Sequence, residues 1–128
     1  MKDNQNEQLF SELTPAEAAV VEGGMGLIID RIHAIKAGAD NGNPDDTYIT
    51  VDGKKIWGYY SMTTGQSRDV NKTTAPLGSS ARVELFDDDR NAHDGLGGFS
   101  ARNTNGVQKR ARVSGGGSIY DIYYRAFA

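Results

Sequence analysis

The sequence predicts an all-β domain, a small antiparallel β-sandwich, carried behind a short N-terminal helical segment. Three observations lead there. Alternating stretches rich in β-branched and aromatic residues recur, as in Thr47-Tyr48-Ile49-Thr50-Val51 and Ala81-Arg82-Val83-Glu84-Leu85-Phe86. Turn chemistry separates these stretches at short intervals, and Asp52-Gly53 is a strong two-residue hairpin signal. The chain then closes on Ile119, Tyr120, Ile122, Tyr123, Tyr124 and Phe127, an aromatic stripe of the kind that fills a core or a sheet face.

Taken in order, residues 1 to 8 are polar and without period, which predicts disorder. Thr14-Pro15-Ala16-Glu17 then has a capping-box spacing, with Thr14 as N-cap, Pro15 at the first helical position and Glu17 reaching back. A short amphipathic helix is expected over 15 to 21, stopped by Gly23-Gly24. Residues 27 to 37 are ambiguous by periodicity: Ile28, Ile32 and Ile35 fit a helical face, while the isoleucine content favours a strand. His33 reads as a half-buried residue of that segment. Residues 38 to 46 are turn chemistry containing Asp40, Asp45 and Asp46. The hairpin 47 to 51 and 54 to 58 follows, then weaker strands over 59 to 63 and 67 to 70, and a polar loop over 71 to 80. Clear strands are expected over 81 to 86, 96 to 101 and 107 to 113, the last with Val107, Ala111 and Val113 on one face. Gly115 to Gly117 turn the chain into the final strand, 118 to 127. Seven or eight short strands joined by turns make a sandwich.

Composition narrows the function. No cysteine is present, so disulfides, thiol catalysis and Cys-based zinc sites are excluded. No run of residues approaches the roughly 18 apolar positions a membrane span requires. The net charge of -3 is uneven: the first 24 residues hold five acidic residues against Lys2, and the remaining 104 carry 13 basic and 12 acidic residues. A nearly neutral body does not read as a nucleic-acid binder, and the basic cluster Lys109, Arg110 and Arg112 reads as a solvated strand face.

The stretch that carries chemistry is Asp87 to Gly98, in which Asp87, Asp88, Asp89 and Asp94 fall within eight positions and only Arg90 offsets them. A folded loop tolerates such repulsion most easily with a cation in its structure, and an all-oxygen donor set selects a hard ion such as calcium. Gly95, Gly97 and Gly98 are expected to turn this loop. An EF-hand is excluded, because loop position six is Ala92 and position twelve Gly98, where that motif needs Gly and Glu. Catalysis is not expected: His93 beside Asp94 is the sole acid-base candidate, and no nucleophile motif or phosphate-cradling loop is present.

Two resemblances sharpen this reading. Residues 9 to 24, LFSELTPAEAAVVEGG, resemble the double-glycine leader of bacteriocin-type exported peptides. Phe10, Leu13, Ala18 and Val21 hold that family's apolar places, and Glu17 its glutamate. The resemblance implies a bacterial source, recognition by an ABC exporter with a peptidase domain, cleavage after Gly23-Gly24 and secretion of a mature domain, 25 to 128. The second concerns two acidic loops taken together. Asp40 and Asp46 lie six apart and lead into Thr47-Tyr48-Ile49, while Asp87, Asp89 and Asp94 are followed by Leu96-Gly97. This arrangement resembles the calcium-binding C2 family, a phospholipid-binding β-sandwich, with Thr47 standing where the family has proline. The resemblance implies Ca2+ held by Asp40, Asp46, Asp87, Asp89 and Asp94, and attachment to an anionic membrane surface, an extracellular polymer or a protein. It also places residues 27 to 37 on the family's first strand. The alternative is a structural, self-assembling matrix protein whose tyrosine-rich last strand pairs at an edge.

Overall fold

In the computed structural model the described residues are 25–38, 44–75, 78–88 and 93–128. They form eight strands: β1 (Gly26–Lys36), β2 (Asp45–Val51), β3 (Lys54–Met62), β4 (Ser67–Thr74), β5 (Ser80–Asp88), β6 (His93–Arg102), β7 (Lys109–Gly115) and β8 (Ser118–Phe127). Two four-stranded antiparallel sheets face each other, one in the order β4-β1-β8-β7 and the other β3-β2-β5-β6. The all-β sandwich expected from the sequence is the architecture observed. The helical segment and leader expected within the first 24 residues lie outside the described residues.

The two inward faces make one core. Leu27, Ile29, Ile32 and Ala34 of β1 and Tyr120, Ile122 and Ala126 of β8 meet Ile49, Val51, Val83, Leu85 and Leu96 of the opposite sheet, all buried. In β1 the inward positions change from odd to even between Ile29 and Ile32, because the ladders to both neighbours slip between Ile29 and Arg31. A bulge of this kind moves every later side chain to the other parity. That slip is why the segment matches neither a clean helical period nor a clean alternation. Asp30 at the slip is held from outside the core by the Arg125 guanidinium at 2.7 Å.

The hairpin between β2 and β3 turns at Asp52 and Gly53, with φ of 50° and 83°. Its Asp52 carboxylate also accepts the Arg82 N–H at 2.9 Å, tying the turn to β5. Several expected boundaries move. β3 runs unbroken through residues 54 to 62, so 59 to 63 is no separate strand, and β4 extends to Thr74, shortening the loop expected over 71 to 80. Val107 precedes β7 and is 57% exposed, so it does not share a face with Val113. Gly95, Gly97 and Gly98 lie within β6 and not in a loop. A Cβ on Gly97 would stand 2.7 Å from the Ser114 backbone, so glycine there lets β6 and β7 close that side of the sandwich. Finally, β8 pairs with β1 on one side and β7 on the other, so the tyrosine-rich strand is interior and offers no edge to another molecule.

Candidate metal centre

Strict alternation carries two aspartates into the protein. In β2 the inward positions Thr47, Ile49 and Val51 are continued backwards by Asp45, and in β5 Ala81, Val83 and Leu85 are continued forwards by Asp87. Both carboxylates are fully buried, Asp45 at the start of β2 and Asp87 next to the last residue of β5. Buried charge is tolerated only when hydrogen-bonded. Asp45 Oδ2 accepts the Ser118 hydroxyl at 2.8 Å and the Tyr120 hydroxyl at 2.7 Å, while Asp87 Oδ1 accepts the Asp46 backbone N–H at 2.7 Å. The Ser118 oxygen also accepts the Gly38 N–H at 3.0 Å. Exit from β1, entry to β2 and entry to β8 are thereby joined through one hydroxyl. The Tyr120 hydroxyl is pushed far above its ordinary range by burial first, then by its bond to Asp45 and the fields of Asp45 and Asp87. Tyr120 therefore stays protonated and donates to Asp45.

The five residues expected to bind the ion are placed as follows. Asp87 is buried, Asp94 half-buried and Asp46 exposed. Register puts Thr47, Asp87 and Asp94 side by side across β2, β5 and β6. The bond from Asp46 to Asp87 joins the stems of the two acidic loops, 41 residues apart in sequence. Asp40 and Asp89, like the leader residues Phe10, Leu13, Glu17, Ala18, Val21, Gly23 and Gly24, lie outside the described residues. Among the described residues no three His, Cys, Asp or Glu side chains are grouped closely enough to hold a metal ion. The carboxylates of Asp46, Asp87 and Asp94 on these stems are oxygen donors of the kind calcium takes.

Asp45, Ser118 and Tyr120 were not anticipated as members of this centre. The signal for Asp45 was present, because the even alternation through 47, 49 and 51 places 45 inside. Spacing from Asp40 drew attention to Asp46 instead. His33, expected to be half-buried, is so, with Nδ1 2.6 Å from the Ser67 hydroxyl. Of the basic cluster, Lys109 and Arg110 are exposed, while Arg112 pairs with Asp121 at 2.9 Å.

No protein-family profile and no curated protein matches the chain by sequence. Solved structures do match. One described as a C2 domain superposes with a TM-score of 0.57 at 14% identity, over 81% of this chain and 99% of that one. The paired C2 domains of Extended-Synaptotagmin 2 match with a TM-score of 0.51 at 15% identity, over 81% of this chain and 40% of theirs. A C2 domain of plant Extended Synaptotagmin 1 matches with a TM-score of 0.50 at 8% identity, over 90% of this chain and 97% of that one. With two four-stranded antiparallel sheets in this order and these structural neighbours, the chain has a C2-like fold.

Proposed function

We propose that this protein is an exported calcium-binding module that attaches to an anionic surface when the ion is bound. The observation that carries the reading is the 2.7 Å bond from the Asp46 N–H to Asp87 Oδ1, which holds the stems of two Asp-bearing loops together. In this reading Asp46, Asp87 and Asp94 form the base, and Asp40 and Asp89 close over the ion from the loops. Calcium takes six to eight oxygens, and backbone carbonyls and water complete the shell. The bound ion supplies a positive centre at the loop tips, whose remaining positions accept oxygens of lipid phosphate or of a carboxylate-bearing polymer. Asp45 is not a ligand in this scheme, since its Oδ2 accepts Ser118 and Tyr120 and anchors the floor. The protein binds and does not catalyse. Export follows the resemblance of residues 9 to 24 to a double-glycine leader, with an ABC exporter cutting after Gly24.

Calorimetric titration of calcium into chelator-stripped protein, with magnesium as the control, tests the centre. Saturable binding at up to about 10 mM calcium, absent in Asp89→Asn/Asp94→Asn, is expected for a site of extracellular type. An equal response in wild type and variant sinks the assignment. Export is tested separately, by the mass of the protein recovered outside the cell: a mature chain starting at Met25 is expected, and an intact chain overturns the leader.

A further inference from the structure

The bond at which the leader is expected to be removed, Gly24–Met25, adjoins the core directly. Met25 is 1% exposed, and Leu27 and Ile29, the next inward positions, are fully buried. β1 begins at Gly26, itself buried, so a single residue separates the bond from the strand. That strand is interior: β4 and β8 flank it. Gly26 stands opposite Phe127, and Leu27 is paired on both sides, with Thr74 of β4 and with Ala126 of β8. An edge strand can peel away while the rest of its sheet stays paired. An interior strand cannot, because its removal opens two ladders and the core face beneath them at once. Independent opening belongs to segments with few buried apolar contacts, and the start of β1 is the reverse of such a segment.

Cleavage makes opposite demands on the same residues. Water adds to the Gly24 carbonyl carbon, the C–N bond to Met25 breaks, and the Met25 nitrogen takes the proton. A peptidase holds its substrate extended, with residues on both sides of that bond inside its cleft. On the leaving side these are Met25, Gly26 and Leu27, which the folded domain keeps within its sheet and core. Whether a chain is cut at a given bond depends on the burial and hydrogen bonding of the backbone there. We infer that folding of the domain conceals the Gly24–Met25 bond, so that the exporter's peptidase cuts the chain while it is unfolded, an order of events that rests on the export reading of residues 9 to 24. A chain that folds first keeps its leader until it unfolds again. The rate of cleavage then follows the unfolded fraction, as it does whenever opening and closing are fast relative to cutting.

The full chain and a peptide of residues 1 to 30 are each incubated with the purified peptidase domain of a double-glycine exporter, and the fragment ending at Gly24 is followed by mass. The peptide presents the same bond without the fold. The full chain should be cut at least about a hundredfold more slowly than the peptide. Gly97→Ala/Tyr120→Phe, which raises the unfolded fraction at a distance from the bond in sequence, should be cut at least about tenfold faster than wild type. Equal rates for peptide and full chain, or for wild type and the variant, overturn the inference. No cut in the peptide refutes the leader itself, which is a separate failure. Hydrogen exchange on the full chain tests the concealment without any peptidase. The amides of residues 27 to 29 should exchange together with that of Ile122 on β8, through global unfolding. Exchange at 27 to 29 more than about tenfold faster than at Ile122 means that the start of β1 opens alone, and overturns the concealment whatever the peptide does.

Discussion

Replacing Tyr120 by Phe isolates the bond that anchors the floor of the metal centre. The ring is fully buried, so Phe preserves the packing and leaves no cavity. What is lost is one donor, 2.7 Å from Asp45 Oδ2, an oxygen that also accepts the Ser118 hydroxyl at 2.8 Å. A hydrogen bond to a charged group contributes about 1.5–3 kcal/mol. We expect Tyr120→Phe to lose about 2 kcal/mol in urea unfolding with an unchanged m-value, and to melt about 8 °C lower. Ser118→Ala should cost a similar amount, and the double variant should depart from the sum of the two, because both donors share one oxygen. Alkaline pH adds a second readout. The folded Tyr120 hydroxyl ionises only far above its ordinary value of 10.0, whereas the unfolded one ionises near it. A raised folded pKa gives stability that is complete below about 10 and drains away as pH rises beyond it. Wild type should therefore lose stability above pH 10 more steeply than Tyr120→Phe. A variant within about 0.5 kcal/mol of wild type, with the same alkaline slope, would refute the anchoring of Asp45 through Tyr120.

Further outcomes follow from other parts of the fold. Asp121, buried on β8, is held below the usual carboxylate range by its hydrogen bonds to Arg112 and by the charges of Arg112, Arg110 and His33. A depressed folded pKa gives stability present above the unfolded value and lost as pH falls. Asp121→Asn should flatten the acid-side decline below about pH 4, and an unaltered decline in acid-unfolding curves tells against the pair. Its contribution at neutral pH stays near 1 kcal/mol, because the Arg112 side chain is 56% exposed. Gly97→Ala should cost about 2 kcal/mol or more, since φ is 109° and the new Cβ meets the Ser114 backbone at 2.7 Å; a denaturation midpoint equal to wild type excludes that close approach. If calcium binds with a dissociation constant a hundredfold below its concentration, folding gains about 2.7 kcal/mol. Differential scanning should then show a calcium-dependent rise in melting temperature, lost in Asp89→Asn/Asp94→Asn.

Local signals determined much of this protein. The hairpin of β2 and β3, the period-two alternation of β5 and the aromatic last strand were legible because alternation and an Asp-Gly turn act over a few residues. Alternation also determined that Asp87 points inward with Val83 and Leu85, and the same rule through Ile49 and Val51 placed Asp45 inside. β1 was ambiguous for a physical reason, since its bulge changes the parity of the inward side chains midway and no single period describes it. The separate strand expected over 59 to 63 failed because nothing local marks whether a strand crosses Gly58 or stops there. Tertiary structure alone decided the rest. Asp45 finds Ser118 and Tyr120 more than 70 residues away, from the facing sheet. The ends of β2 and β5 meet because the two strands are neighbours in register, and β8 has no free edge because β1 and β7 flank it. A pairing of strands distant in the chain is settled by which faces bury together, and that is a property of the whole sandwich rather than of any segment.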